Sequence, residues 1–234
     1  MGSDRPHPPQ PRGNRAKNRS FIPLSPAGTR IDHDIILDIV PRGSKVLDLG
    51  CGDGSLLEKL VRTKDVRGSG IEISDEGIRE CIAKGLAVLQ EDIDHGLKDY
   101  PDRSFDYIIL NQTLQAVKKP HVVLSEMLRV GEKAVVGFPN FAHWKMRTYL
   151  FMRGRMPKTE YLPYEWYDTP NIHFCTVTDF EEYCRKFSLR VERRVYLSND
   201  HGGRVLRGFG PNLFAESAVY LLSRPTASPL QFAL

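Results

Sequence analysis

The chain has 234 residues, of which 41% are hydrophobic and 26% are charged, values typical of a globular domain with its own core. No apolar run approaches the roughly 18 residues that a membrane span needs. The N-terminus lacks the apolar segment of a secretory signal. These features argue against a membrane-spanning or secreted protein and predict a cytoplasmic one with no membrane partner.

The net charge of +4 arises in the first 20 residues, where five Arg or Lys side chains accompany a single Asp. The remainder of the chain is electrically balanced, so we expect no duplex-binding face and no nucleic-acid partner. Residues 1–20 also hold four of the 16 prolines and no Val, Ile or Leu. This composition predicts a disordered basic tail over 1–28. A domain over 29–224 and a C-terminal tail over 225–234 would complete the chain.

Apolar strands and amphipathic helices alternate after a first helix. We predict helices at 32–40, 55–62, 75–84, 122–130 and 178–187, and strands at 45–49, 70–73, 87–90, 105–110, 133–138, 190–197 and 217–222. The strand at 105–110 ends in a continuous apolar run, as expected of a parallel strand buried on both faces. The alternation predicts an α/β fold with a Rossmann-like, doubly wound, mostly parallel seven-stranded sheet.

The first strand is followed by a glycine-rich turn in which Gly50, Gly52 and Gly54 alternate with other residues. Glycines at this position let the backbone turn sharply and approach a ligand closely. A dinucleotide fingerprint would place its third glycine three residues after the second, facing a pyrophosphate. The shorter spacing suits a nucleoside without phosphate, such as S-adenosylmethionine. Asp48, inside the strand, either orients this loop or binds the amino group of the ligand.

Further ligand candidates follow the next three strands in order. Glu72 ends the second strand, with Ile73 beside it, where a carboxylate can accept hydrogen bonds from ribose hydroxyls. Asp92 follows the third strand and can accept from an adenine amino group, while Ile93 packs on the ring. Asn111 follows the fourth strand, where a sulfonium and a methyl acceptor would meet. Since ligands of doubly wound sheets bind at the carboxyl ends of strands, these residues together predict a nucleoside pocket.

The four cysteines, Cys51, Cys81, Cys175 and Cys184, show no metal-ligand spacing. We therefore expect reduced thiols and no metal site.

Beyond the nucleoside loop Val46-Leu-Asp-Leu-Gly-Cys-Gly-Asp-Gly54, the sequence contains five more specific blocks. They are Asn111-Gln-Thr-Leu-Gln-Ala-Val117, Glu126-Met-Leu-Arg-Val-Gly131, Phe138-Pro-Asn-Phe-Ala-His-Trp144, Arg153-Gly-Arg-Met-Pro157 and Tyr167-Asp-Thr-Pro-Asn-Ile-His173. With these blocks the chain resembles the methionine-biosynthesis family MetW from about residue 31 to 224. The resemblance implies a class I S-adenosylmethionine-dependent methyltransferase fold with S-adenosylmethionine or S-adenosylhomocysteine as the cofactor.

The resemblance also implies a partner, because MetW-like proteins are associated with the homoserine O-acetyltransferase MetX. This sequence has no G-x-S-x-G nucleophile elbow, so it does not itself supply an acyl-transfer serine. We therefore expect an accessory subunit that activates MetX. The main alternative is an S-adenosylmethionine-dependent methyltransferase acting on a small molecule, since methyl transfer runs largely on proximity. A third hypothesis is a scaffold protein with a vestigial pocket. The sequence leaves open whether the chain is an enzyme.

An insertion over 139–176 is irregular in pattern and rich in aromatic and basic residues. Because aromatic side chains and arginine are enriched at interfaces, we expect a partner surface carried by Trp144, Trp166, Arg153 and Arg155. The alternative is that these rings only pack the insertion onto the sheet.

Two histidines of this insertion are weak catalytic candidates. His143 and His173 each follow a Pro-Asn pair, and either could act as a base if the two turns meet over the pocket. Hydrogen bonding within a loop is the simpler role for both.

Overall fold

A computed structural model describes residues 30–159, 163–198, 204–206 and 210–224. The predicted tails at 1–28 and 225–234 lie outside these residues. The helices are α1 (Ile31–Ile39), α2 (Ser55–Lys64), α3 (Asp75–Ala83), α4 (Pro120–Val130), α5 (Trp144–Arg153), α6 (Val177–Lys186) and α7 (Pro211–Phe214). The strands are β1 (Lys45–Leu49), β2 (Arg67–Glu72), β3 (Ala87–Gln90), β4 (Phe105–Asn111), β5 (Gly131–Pro139), β6 (Arg190–Ser198), β7 (Arg204–Val205) and β8 (Ser217–Ser223).

The strands form one sheet in the order β3-β2-β1-β4-β5-β8-β6-β7. The first five are parallel, and β8 inserts antiparallel between β5 and β6. All seven predicted strands are present, and β7 adds a two-residue edge pair to β6. The predicted doubly wound α/β fold is therefore confirmed. The strand order reverses between β1 and β4, the point at which such sheets bind ligands.

Both faces of the sheet are covered because its central strands bury apolar side chains on both sides. On one face, Val46 and Ile109 pack with buried side chains of α1 and α2. On the other, Leu47 and Ile108 pack with buried side chains of α4 and α6. Neighbouring residues of a strand point to opposite faces, so an unbroken apolar run fills both layers.

Two differences from the sequence prediction concern the insertion and β2. Residues 144–153, predicted to be irregular, form helix α5. Strand β2 begins at Arg67, three residues earlier than predicted. The glycines of β2 interrupt the apolar pattern by which a strand is predicted. A Cβ at Gly68 would lie 2.5 Å from the Leu57 side chain. A larger residue at this position would therefore push the Leu57 side chain of α2 away from the sheet.

Candidate functional site

The glycine loop between β1 and α2 has three left-handed residues. The φ angles of Gly50, Gly52 and Gly54 are +67°, +56° and +74°. A Cβ at Gly54 would lie 2.6 Å from the Leu86 side chain and 2.8 Å from the Cys81 sulfur, so a larger residue would also displace these side chains. A Cβ at Gly52 would meet no atom within 4 Å. The middle of the loop therefore faces open space at the carboxyl edge of the sheet.

Glu72 organises this loop from the end of β2. Its side chain is 6% exposed, and its Oε2 accepts the Gly52 N–H at 2.8 Å. Its Oε1 accepts the N–H groups of Ile73 and Ser74 at 2.9 and 2.8 Å. A carboxylate offers about four acceptor positions, so roughly one remains for a ribose hydroxyl. Ile73, 58% exposed, presents an apolar side chain beside the loop.

Asp92 and Ile93 follow β3, next to the end of β2. The Glu91 N–H donates to the Glu72 carbonyl at 3.2 Å, which holds the two strand ends together. The Asp92 side chain accepts the Asp94 N–H at 2.9 Å and caps a short 3-10 turn over Ile93–His95. Ile93 packs partly against the hydrophobic core. The structure thus places both residues at the predicted edge, although Asp92 already has a local partner.

Asn111, at the end of β4, connects the topological switch point to α1. Its Nδ2 donates to Asp32 Oδ2 at 2.7 Å, and Asp32 also pairs with Arg30 at 2.7 Å. The Asn111 Oδ1 is buried without a hydrogen-bond partner among the described residues. Gln112 follows with φ +58°, a conformation that costs energy in a non-glycine residue and is frequent at functional sites.

Arg30, Asp32 and His33 are residues that sequence reasoning missed. They precede the glycine loop by about 20 positions, and only the packing of α1 onto the sheet brings Asp32 to Asn111. The available signal was a pair of polar side chains, Asp32 and His33, in the first turn of an otherwise isoleucine-rich helix. Both are buried, which is unusual for ionisable residues.

The pKa values of two buried groups are shifted strongly. Burial raises the pKa of Asp48 to about 7, helped by the carboxylates of Glu72 and Asp53 and opposed by Arg30. Burial likewise lowers the pKa of His33 to about 4, with a further contribution from Arg30. The pKa of Asp32 is lowered: burial opposes this shift, but the adjacent Arg30 guanidinium favours the carboxylate. Asp48 therefore changes its charge near neutral pH within the site.

The two candidate histidines lie in different environments. His143 is buried at the N-terminus of α5. His173 is exposed, with its Nε2 3.4 Å from the Lys118 carbonyl oxygen. Their segments do meet, since the Phe141 and Phe174 rings lie 4.5 Å apart. His143 is only 4% exposed, and among the described contacts neither histidine bonds to the glycine loop.

The insertion exposes much of its apolar surface. Trp144 and Trp166 are exposed, as are Arg153 and Arg155. Other exposed large apolar residues of the same region are Tyr149, Leu150, Phe151, Met152, Met156, Tyr167, Ile172 and Phe174. Packing onto the sheet therefore does not account for these side chains. A cleft of about 380 Å³ separates part of α5 from the starts of α6 and α7.

Within the described ranges, no three His, Cys, Asp or Glu side chains are arranged to hold a metal ion. The four thiols are unpaired cysteines; Cys51 and Cys81 lie beneath the glycine loop with their sulfurs 3.8 Å apart. Among the helices of the described residues, none has the length and apolarity to cross a membrane.

The family model of the methionine biosynthesis protein MetW matches residues 30–222 of this chain. The bifunctional methionine biosynthesis protein MetXA/MetW of Rhodopirellula baltica is 37% identical over 203 residues, which cover 83% of this chain and 33% of that protein. The phosphoethanolamine N-methyltransferase of Triticum aestivum is 30% identical over 129 residues, covering 52% of this chain and 25% of that enzyme. The chain thus spans a third and a quarter of the lengths of these two relatives.

Among solved structures, an S-adenosylmethionine-dependent methyltransferase of Thermotoga maritima superimposes with a TM-score of 0.61. The sequences are 17% identical, and the match covers 82% of this chain and 86% of the other. At this identity the likeness concerns the fold alone. With the sheet order and the family match, it leads to one conclusion: the chain belongs to the methionine-biosynthesis family MetW and has the class I methyltransferase fold.

Proposed function

We propose that this chain is a cytoplasmic, S-adenosylmethionine-binding accessory subunit that activates the homoserine O-acetyltransferase MetX. One observation supports the proposed partnership with MetX. The R. baltica relative is named as a single bifunctional protein, MetXA/MetW, of which this chain matches one third. Two functions joined in one polypeptide commonly act on the same process. The chain also lacks a G-x-S-x-G elbow, so the acyl-transfer serine would come from the partner.

The cofactor site would be formed by the glycine loop and the ends of β1 to β4. Gly50, Gly52 and Gly54 would let the backbone approach the ligand, and Glu72 would use its remaining acceptor position for the ribose. S-adenosylhomocysteine would fit the same contacts, because it differs only at the sulfur. The bound cofactor would supply a methyl sulfonium; the residues described here would bind and orient it.

The other candidate residues have narrower roles in this proposal. Ile73 would cover one face of the adenine, and Asp92 and Ile93 would border the ring. Asp48 would face the amino group of the ligand, whose positive charge favours the carboxylate form. Asn111 would lie closest to the reacting end, through its buried and unpartnered Oδ1.

A pair of glycine variants tests the cofactor site. Gly43 and Gly52 both have positive φ, +76° and +56°, and an added Cβ would meet no atom within 4 Å at either. Gly43 lies in the turn before β1, at the opposite end of that strand. Both alanine variants should therefore lose similar stability, about 1 kcal/mol. Only Gly52→Ala should lose S-adenosylmethionine binding in isothermal titration, because its methyl group would occupy the ligand space.

Equal cofactor affinity in the two glycine variants would remove the glycine loop from the site. No binding by the wild-type protein would favour a scaffold with a vestigial pocket.

The partnership is tested by acetyl-CoA-dependent homoserine turnover of MetX, alone and with this chain, each with and without S-adenosylmethionine. Activation together with a complex on gel filtration is the expected result. Regulation by the cofactor requires different affinities for the free and partnered states, since equal affinity shifts nothing. No complex and no change in turnover would refute the accessory role.

A second candidate function is small-molecule methyl transfer. The match to an N-methyltransferase over 129 residues favours it. Consumption of S-adenosylmethionine in the presence of homoserine or its esters would support this function, whereas binding without consumption would support the accessory role. His173 is the exposed candidate base for such a reaction, and His143 is the buried one.

A further inference from the structure

Helix α5 packs against the rest of the protein with very little of its surface. Of its ten residues only Met146 is buried. Phe151 is 91% exposed and Met152 74% exposed, and Trp144 at the first position is also exposed. Helices shorter than about 12–15 residues are marginal in water unless a face is packed. Contiguous exposed apolar surface of this kind marks an interaction site.

Three of the exposed apolar residues of α5 lie on one outward stripe, while Tyr149 and Leu150 lie elsewhere on the helix. Trp144, Thr148, Phe151 and Met152 stand at i, i+4, i+7 and i+8, the spacing that places side chains on one face of a helix. Met146 lies on a different side and lines the 380 Å³ cleft toward α6. The outer stripe has the anchor spacing of helices that bind in an apolar groove.

The base of α5 is held rigidly by Asn140. The Asn140 Nδ2 donates to the carbonyls of Ala215 and Asn212 at 2.7 and 3.0 Å. Its Oδ1 accepts the N–H groups of Ala142 and Val177, both at 3.2 Å. These bonds fix the segment just before α5 to the start of α6 and to α7 with its C-cap residue Ala215. A helix presented in a fixed position loses less conformational entropy on binding.

Charge indicates the chemistry of the occupant. Residues 141–159 contain five Lys or Arg residues and no Asp or Glu. Within the described part of the chain, neither Arg153 nor Arg155 forms an ion pair, whereas Lys158 pairs with Glu165. A second copy of this chain would bring two such cationic surfaces together, at an electrostatic cost. An acidic partner would neutralise them.

A lipid surface fits α5 less well than a protein groove does. Interfacial helices separate their apolar and polar residues onto two faces. On α5, exposed Trp144, Tyr149 and Leu150 point in three different directions, since residues advance 100° each around a helix. A helix that is apolar around most of its circumference is typically enclosed by protein.

We propose that α5 inserts into an apolar groove with a carboxylate rim on a protein partner. Phe151, Met152 and Trp144 are the apolar anchors, and Arg153 and Arg155 contact the acidic rim. This inference rests on the proposed function, in which the partner is the homoserine O-acetyltransferase.

Two pairs of variants test this docking by titration of labelled acetyltransferase. Phe151→Asp should weaken the complex by about 30-fold or more, the usual effect of removing an interface anchor. Its control, Ile82→Asp, changes a 62% exposed residue of α3 and should leave the affinity within about twofold.

The double variant R153E/R155E should weaken binding and reduce its salt dependence. Its control, Arg79→Glu on the exposed surface of α3, should do neither. Circular dichroism and thermal unfolding check that each variant is folded.

The outcomes separate the docking inference from the proposed function. No complex with the wild-type chain would refute the proposed function and this inference with it. A wild-type complex that Phe151→Asp weakens no more than Ile82→Asp does would refute only the docking of α5. Dimerisation of the chain alone, abolished by Phe151→Asp, would assign the stripe to a second copy and overturn the inference. Cosedimentation with vesicles of phosphatidylcholine and phosphatidylserine, lost in the same variant, would overturn it in favour of a membrane surface.

Discussion

Replacement of Asp48 by asparagine should change how the stability of the protein depends on pH. Asp48 is 3% exposed in β1, and its pKa is raised to about 7 by burial and by the nearby carboxylates of Glu72 and Asp53. In the unfolded chain the pKa of an aspartate is about 3.9. Between these values the folded protein binds a proton that the unfolded chain does not. The stabilisation is therefore complete below about pH 4 and is lost as the pH rises through 7.

His33 has the opposite sign. Its pKa is about 4 in the folded protein, against an ordinary value of 6.5, because burial disfavours the imidazolium. Its stabilisation is present above pH 6.5 and is lost as the pH falls through 4. The two slopes oppose each other between about pH 4 and 6.5, so the combined contribution of Asp48 and His33 to stability is nearly flat in this range.

The asparagine variant removes the Asp48 contribution alone. Each pH unit between the two pKa values is worth about 1.4 kcal/mol. From pH 5 to pH 8, the free energy of unfolding of Asp48→Asn minus that of the wild type should therefore rise by about 3 kcal/mol. Urea unfolding followed by tryptophan fluorescence at pH 5, 6.5 and 8 measures this difference. Asp65→Asn is the matched control, because that carboxylate is exposed at the end of α2. Parallel pH curves for Asp48→Asn and the wild type would refute the assignment of a raised pKa to Asp48.

Three further predictions concern the site and its supports. Glu72→Ala should weaken S-adenosylmethionine binding by about 1.5–3 kcal/mol in isothermal titration. Thermal unfolding should also show lower stability, because three N–H donors lose their acceptor. Unchanged affinity would remove Glu72 from the site. Cys175 and Cys184, whose pKa values are raised to about 12 by desolvation, should react with a disulfide reagent at pH 8 on the order of 1,000-fold more slowly in the native than in the unfolded protein. Comparable rates would contradict the raised pKa values. Asn140→Ala should lower the free energy of unfolding by roughly 2–4 kcal/mol, since four hydrogen bonds are lost. A loss below about 1 kcal/mol in urea unfolding would show that the base of α5 is held by other contacts.

The strands could be predicted from local sequence because the physical signal is local. A strand buried on both faces needs an unbroken apolar run, as residues 107–110 provide, and no distant residue can supply that. Helix α5 could not be predicted in this way. Its apolar residues are not confined to one face, because little of the helix packs on its own protein, and such packing is what confines apolar residues to a face.

In the candidate site, too, some features could be predicted from local sequence and others could not. The glycines at positions 50, 52 and 54 predicted a sharp turn after a strand, and all three have left-handed φ angles in the structure. This prediction was possible because the φ angle of a residue depends largely on its own side chain. Only the tertiary structure decided that Asp32 meets Asn111, a partner 79 positions away. The raised pKa of Asp48 is likewise absent from the sequence pattern, because it depends on burial and on charges that other strands and loops bring near. Local backbone conformation depends on neighbouring residues, whereas desolvation and charge pairing arise only once α1 and the strand ends are packed together.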